Sequence, residues 1–307
     1  MSRRAFIRSA GLYLLASFAA MTAHAANYVR SYLVNDVLLP ISSSEATSYA
    51  IDVDGDGFVE NNFGQILAAL AAQGIDFNGL MDSAVTTGSV VHLVHVQSTD
   101  VFLANDPAAQ ATWCVGVPTI TPPLFDGTDN PSCADTSGIF VAALSGGSFT
   151  SPAPATTANP VSLDFALALG TSNATLPVLN ARLSFATDGA GQMPFGQING
   201  SIPHTDFMNN FAPAMAAMCN ESIQNDPSSG MASSCKSLFD TGCNGFPGYA
   251  GDSLIEVCEI TESSLMQSLL APDVQVADGG TLVDANSIGF RFTAIAYDRV
   301  FANGFEP

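Results

Sequence analysis

Ser287-Ile288-Gly289-Phe290-Arg291-Phe292-Thr293-Ala294-Ile295-Ala296-Tyr297-Asp298-Arg299-Val300 carries apolar side chains at Ile288, Phe290, Phe292, Ala294 and Ala296, the alternate positions that face one side of a β-strand. The stretch follows a block with helical spacing, so as a strand it must return to a sheet built earlier in the chain. That return favours one integrated domain over two independent ones. The earlier sheet is legible as apolar and β-branched runs at 90–96, 112–117, 138–144, 162–168, 176–186 and 195–202, with turn-rich segments at 122–137 and 146–160. Strands continue on both sides of 146–160, which therefore reads as a surface loop and not a linker. The predicted fold class is α+β, with an antiparallel β-sandwich or barrel-like core and a few helices.

Helical spacing is expected in several places. Phe63, Ile66, Leu67 and Leu70 recur on one face after a capping Asn61 or Asn62, and a short helix is expected over 77–84. Phe207, Phe211, Met215 and Met218 form one stripe within 204–225, and shorter helices are expected at 233–240 and 260–270. Strands are also expected at 32–39 and 48–53, the second running into an acidic loop.

That loop is Asp52-Val53-Asp54-Gly55-Asp56-Gly57-Phe58-Val59-Glu60-Asn61-Asn62. Ca²⁺ takes six to eight oxygens at about 2.3–2.6 Å, and a turn with carboxylates at positions 1, 3 and 5 supplies them. Asp52, Asp54 and Asp56 occupy those positions, Gly57 permits the sharp turn at position 6, Phe58 offers its carbonyl at 7, and Glu60 stands at 9. Position 12 is Phe63, where a bidentate glutamate is usual, so Glu60 with Asn61 or Asn62 has to close the shell. Two carboxylates about 4 Å apart repel by roughly 4 kcal/mol at an effective dielectric near 20. No Lys or Arg lies between Arg30 and Arg182 to relieve that repulsion. An ordinary solvated turn would explain the glycines but not the alternating carboxylates. The incomplete shell predicts an affinity on the order of 10⁻⁵ to 10⁻³ M, suited to a structural ion outside the cytosol. The expected motif is thus a strand-to-helix calcium loop near the N-terminus.

The first 25 residues have the layout of a removable export signal: Arg3, Arg4 and Arg8, an apolar segment from Gly11 to Met21 too short to span a bilayer, and Ala23-His24-Ala25. Ser2-Arg3-Arg4-Ala5-Phe6-Ile7 also matches a twin-arginine signal. The expected organisation is a signal over 1–25 and a single calcium-binding domain over 26–307, with no membrane span in the mature chain and a periplasmic, cell-surface or extracellular location. Loss of the three signal arginines leaves 5 of the 8 basic residues against 28 acidic ones and moves the formal charge from −20 to −23. Nucleic acid and anionic lipid are therefore excluded as partners. At 47% hydrophobic and 12% charged, the composition is core-forming, not that of a disordered acidic tail.

Six cysteines in an exported chain read as disulfides. Of fifteen possible pairings, proximity favours Cys114 with Cys133, Cys219 with Cys235, and Cys243 with Cys258. Zinc is the rival, and it is disfavoured by the lack of any Cys-x₂-Cys spacing. His92 and His95 fall on opposite faces of one strand and cannot converge. His204 and Asp206 stand at a helix start, where capping by Asp206 is sufficient explanation. Asp240, Asn244 and Gly245 outline a second acidic loop, but Gly242 takes a ligand position, and a loop pinned by a disulfide explains it better. No serine nucleophile elbow, His-Glu-x-x-His or phosphate-binding glycine loop is present, so no catalytic residue is assigned.

The stretch from Tyr49 to Leu70, together with Ile260-Thr261-Glu262, Leu269-Leu270-Ala271-Pro272-Asp273 and the strand from Gly289 to Ala296, resembles a poorly characterised group of secreted and lipoprotein-type proteins of Gram-negative bacteria. The resemblance implies an exported calcium-binding protein and no particular activity. The tail from Asp298 to Glu306 is similar to short C-terminal endings of some exported bacterial proteins. The leading expectation is a non-enzymatic surface or periplasmic binding or structural module, braced by Ca²⁺ and meeting a protein or polysaccharide partner. The alternative is a secreted hydrolase with a structural calcium.

Overall fold

Strand β1 (Tyr28–Leu38) is followed not by a second strand but by helix α1 (Ser43–Ser48). The computed structural model describes residues 28–134, 138–154, 160–188, 192–269, 271–278 and 280–297. The expected signal at 1–25 and the tail from Asp298 lie outside them. The strand expected over 48–53 is corrected: Ser48 ends α1, and Ile51 makes a single antiparallel bridge to Glu60. The reason is local. Ser42 Oγ accepts from Glu45 N at 3.3 Å while Glu45 Oε2 accepts from Ile41 N at 2.9 Å, so Ser-x-x-Glu starts a helix before a strand can form.

Helix α2 (Asn62–Ala72) buries Phe63, Ile66, Leu67 and Leu70 as their spacing predicts, and α3 (Phe77–Thr87) follows, capped by the Asp76 carboxylate on Gly79 N. The strands β2 (His92–Ser98), β3 (Asn105–Val117), β4 (Ser132–Cys133), β5 (Ile139–Ser145), β6 (Ser148–Thr150), β7 (Val161–Leu169), β8 (Ser172–Ala186) and β9 (Gln192–Pro203) come next. β6 falls inside the segment expected to be a loop, as the return arm of a tight turn at Gly146 and Gly147.

The long helical segment begins as α4 (His204–Asp206), passes through a π-helical turn at Phe207–Phe211 and continues as α5 (Ala212–Asn225). Asp206 does not cap it. Pro203 holds the N-cap position without a side-chain bond, and the Asp206 carboxylate accepts from Asn210 Nδ2 at 3.3 Å. Helix α6 (Gly230–Phe239) is tied to α5 by Cys219–Cys235. The helix expected at 260–270 is two helices, α7 (Val257–Glu262) and α8 (Ser264–Leu269), because extended Ser263 ends the first and caps the second by accepting from Met266 N. A short strand β10 (Val274–Asp278), not anticipated, makes a hairpin with β11 (Thr281–Tyr297).

Every strand pairing is antiparallel, and the order β1-β2-β3-β5-β6-β8-β9-β11 closes on itself because β11 also pairs with β1. The ring is not a regular barrel. β6 has three residues, β7 pairs with the N-terminal part of β8, and β4 and β10 attach outside the ring. Ile288, Phe290, Phe292 and Ala294 of β11 are at most 1% exposed and enter one buried cluster with Tyr32, Val94, Trp113, Phe165 and the apolar faces of α2, α3 and α5. All three expected cystine pairs form, with Cα atoms 5.5–5.6 Å apart. No helix among the described residues is long and apolar enough to cross a membrane.

Candidate metal centre

The acidic loop begins where the chain leaves α1 and ends where α2 starts. Its two ends are held together by the Ile51–Glu60 bridge, in which Glu60 N donates to Ile51 O at 3.0 Å. This closure brings position 9 of the loop back against positions 1 and 3. Inside it, Asp52 Oδ1 accepts from Gly55 N at 2.6 Å and Oδ2 from Gly57 N at 3.1 Å, while Asp54 Oδ1 accepts from Asp56 N at 3.2 Å. Gly57 has a φ of 93°, a left-handed conformation that a side chain would strain. Val53 points the other way, fully buried beside Leu179, Val274, Val276 and Ala285, and so anchors the loop against β8, β10 and β11.

Asp52, Asp54 and Glu60 each present an oxygen such that all three lie within 4.8 Å of one another. Oxygens sharing one Ca²⁺ are at most about 5 Å apart, twice the Ca–O distance of roughly 2.3–2.6 Å, so this set fits a single ion. Asp56 is not in the convergent group; its Oδ1 accepts from Phe58 N at 2.8 Å. The Phe58 side chain is 71% exposed at the loop rim. Burial pushes the Glu60 carboxyl up to about 7, with the charges of Asp56, Asp54 and Asp52 adding to the effect and the Val53 amide opposing it. A cation would reverse that environment, since it favours the ionised form of every carboxylate around it.

Asn61 or Asn62 is the expected companion of Glu60 in closing the shell, and the structure gives both side chains other partners. Asn61 Oδ1 accepts from Gly64 N at 3.0 Å, capping α2, and from Gly289 N at 2.8 Å; its Nδ2 donates to Ala46 O and to Gly289 O. One side chain thus joins α1, α2 and β11. Asn62 Nδ2 donates to Ala271 O, and its backbone N to Ser287 Oγ, which in turn donates to the Asp273 carboxylate. Nearby, Tyr49 O accepts from Asn199 Nδ2 and Gln197 Nε2, and the Arg291 guanidinium lies 4.3 Å from the centre of the Tyr49 ring. A Cβ at Gly289 would stand 2.3 Å from Tyr49 O, so the close approach of the loop's entry to β11 requires glycine there. The capping role of Asn61 is visible in sequence; its bond to Gly289 is not.

The other candidates separate. His92 is fully buried in the ring interior, stacked between Trp113 and Phe165, with Nε2 accepting from Ala166 N at 3.1 Å. His95 is half-buried on the opposite face, beside Cys133. The Asp240 carboxylate accepts from Gly251 N and Ser253 N, and the loop is pinned by Cys243–Cys258, with no convergent carboxylate group there among the described residues. No protein-family model, no curated protein and no solved structure matches the chain.

Proposed function

We propose that the chain is an exported calcium-binding protein of the periplasm, cell surface or surrounding medium. In this reading one Ca²⁺ held by Asp52, Asp54 and Glu60 braces the crossing from α1 to α2 over β9 and β11. Asp56 and the Phe58 carbonyl are the further oxygens that the spacing provides. The role that fits is a binding or structural module facing a protein or polysaccharide, because the loop is tied to β9 and β11 through Tyr49 O and Asn61 and so fixes a wall of the ring. The observation that carries the reading is the convergence of three carboxylate oxygens within 4.8 Å, on a loop closed by its own bridge and seated by buried Val53. Three cystine pairs agree with an oxidising compartment. Isothermal titration with Ca²⁺ and melting with and without chelator test it. Binding heat and a raised Tm are expected, about 2.7 kcal/mol of stabilisation at 100 times the Kd. No heat together with an unchanged Tm overturns it.

A hydrolase with a structural calcium has one feature in its favour. A cleft of about 240 Å³ is lined by His204, Met208, Thr261, Gln267, Ala271 and Pro272, next to the π-helical turn, and such turns are frequent at functional sites. Among the described residues the lining holds no acid to orient His204, and the Thr261 hydroxyl donates to Cys258 O. The calcium-braced module is the better-supported reading.

A further inference from the structure

Two of the three cystine pairs have one half-buried sulfur residue, and they differ in what surrounds it. Cys243 and Cys258 stand among carboxylates: Glu259 Oε1 accepts from Gly242 N and Glu262 Oε2 from Asn244 N, each at 2.6 Å. Negative charge there disfavours a thiolate. Cys114 and Cys133 instead meet an imidazole. His95 Nε2 lies 3.1 Å from Cys133 Sγ, and its ligand nitrogen and the two sulfurs fall within 4.8 Å of one another. Cys114 is fully buried and Cys133 half-buried, whereas Cys219 and Cys235 are both fully buried.

The far side of the imidazole is held as well. His95 Nδ1 lies 2.6 Å from the hydroxyl of Ser31, a residue 1% exposed on the paired strand β1. A hydroxyl donates to Nδ1 of a neutral ring and accepts from Nδ1–H of an imidazolium. The ring can therefore give or take a proton at Nε2 without losing its anchor.

We propose that Cys114–Cys133 is a thiol–disulfide exchange site that reacts with a dithiol, with His95 as proton donor and thiolate partner and Ser31 as the residue that positions it. A thiolate of the dithiol attacks Cys133 Sγ, the Cys133–Cys114 bond breaks, and the Cys114 sulfur leaves with the electron pair. The second thiol of the reductant then attacks its own sulfur in the mixed disulfide, and Cys133 departs as a thiolate facing His95. The reductant leaves as a disulfide, having given two electrons and, through solvent and His95, two protons. This inference is independent of the metal reading.

The test equilibrates the whole protein in graded mixtures of reduced and oxidised dithiothreitol at pH 7. Acid quenching, alkylation and peptide mass spectrometry then report each bridge separately. Cys114–Cys133 is expected to open at least about tenfold more readily than Cys243–Cys258, roughly 30 mV. His95→Gln should lower its opening constant about tenfold, Ser31→Ala should act in the same direction by less, and neither should move Cys243–Cys258. Opening of Cys114–Cys133 together with or after Cys243–Cys258 in the unaltered protein overturns the proposal. So does a His95→Gln variant that leaves Cys114–Cys133 unchanged or shifts all the bridges alike.

Discussion

At Glu60 burial and three neighbouring carboxylates all oppose the ionised form, which is the form a metal needs. Calcium binding should therefore be tighter at pH 8 than at pH 6, where protons compete for the same oxygens. Glu60→Gln should weaken binding by roughly tenfold or more, as expected when a charged ligand is lost from a small oxygen shell. Titration calorimetry at the two pH values, on both proteins, reads each effect. His92 presents the opposite case. Burial lowers its pKa to about 3, and its Nδ1 has no hydrogen-bond partner among the described residues. A depressed histidine pKa means that the unfolded chain takes up the proton first, from its ordinary value near 6.5. Its stabilising contribution is complete above that value and is lost as the pH falls toward 3. The loss amounts to about 2 kcal/mol between pH 7 and pH 5. His92→Phe should flatten that part of the stability profile, which denaturant midpoints at the two pH values measure. An equal fall in both proteins would show that another group is responsible.

Among the elements, α2 depends most visibly on a single residue. Asn61→Ala removes the cap from Gly64 N and also strips Gly289 N and O of their side-chain partner in a buried position. Loss of a cap and an unpaired buried group together cost about 3 kcal/mol. Urea unfolding should show a loss of that size, and Asn61→Asp, which keeps the acceptor but not the donor, should fall between. The cap was legible because Asn precedes a helix-spaced apolar run. The strand expected over 48–53 does not form because Ser42-x-x-Glu45 starts a helix that runs to Ser48. The single helix expected at 260–270 failed for a related reason: Ser263 can stop one helix and cap the next, and spacing alone does not distinguish that from continuation.

For the whole molecule the decisive contact is between the ends of the described chain, where β1 and β11 pair from Ser31 with Tyr297 to Leu38 with Arg291. A chain ended after Asp278 would leave β1 and β9 as open edges lined with unpaired backbone groups. Size-exclusion chromatography should then show the shortened chain in larger species than the full chain; a shortened chain no more associated than the full one would mean that the ring does not need β11. Composition, the even cysteine count with its three short spacings, the inward-facing row of β11 and the carboxylate spacing of the acidic loop can all be read along the chain. Each depends on residues near one another in the chain, or on a periodicity that one strand or helix expresses alone. The closure of the sheet into a ring, the pairing of β7 with part of β8, the convergence of Glu60 rather than Asp56 on Asp52 and Asp54, and the contact of His95 with Cys133 emerge only in the folded chain. These depend on strand register and bulges, which are set by contacts between residues far apart in the chain and leave no periodic trace along it.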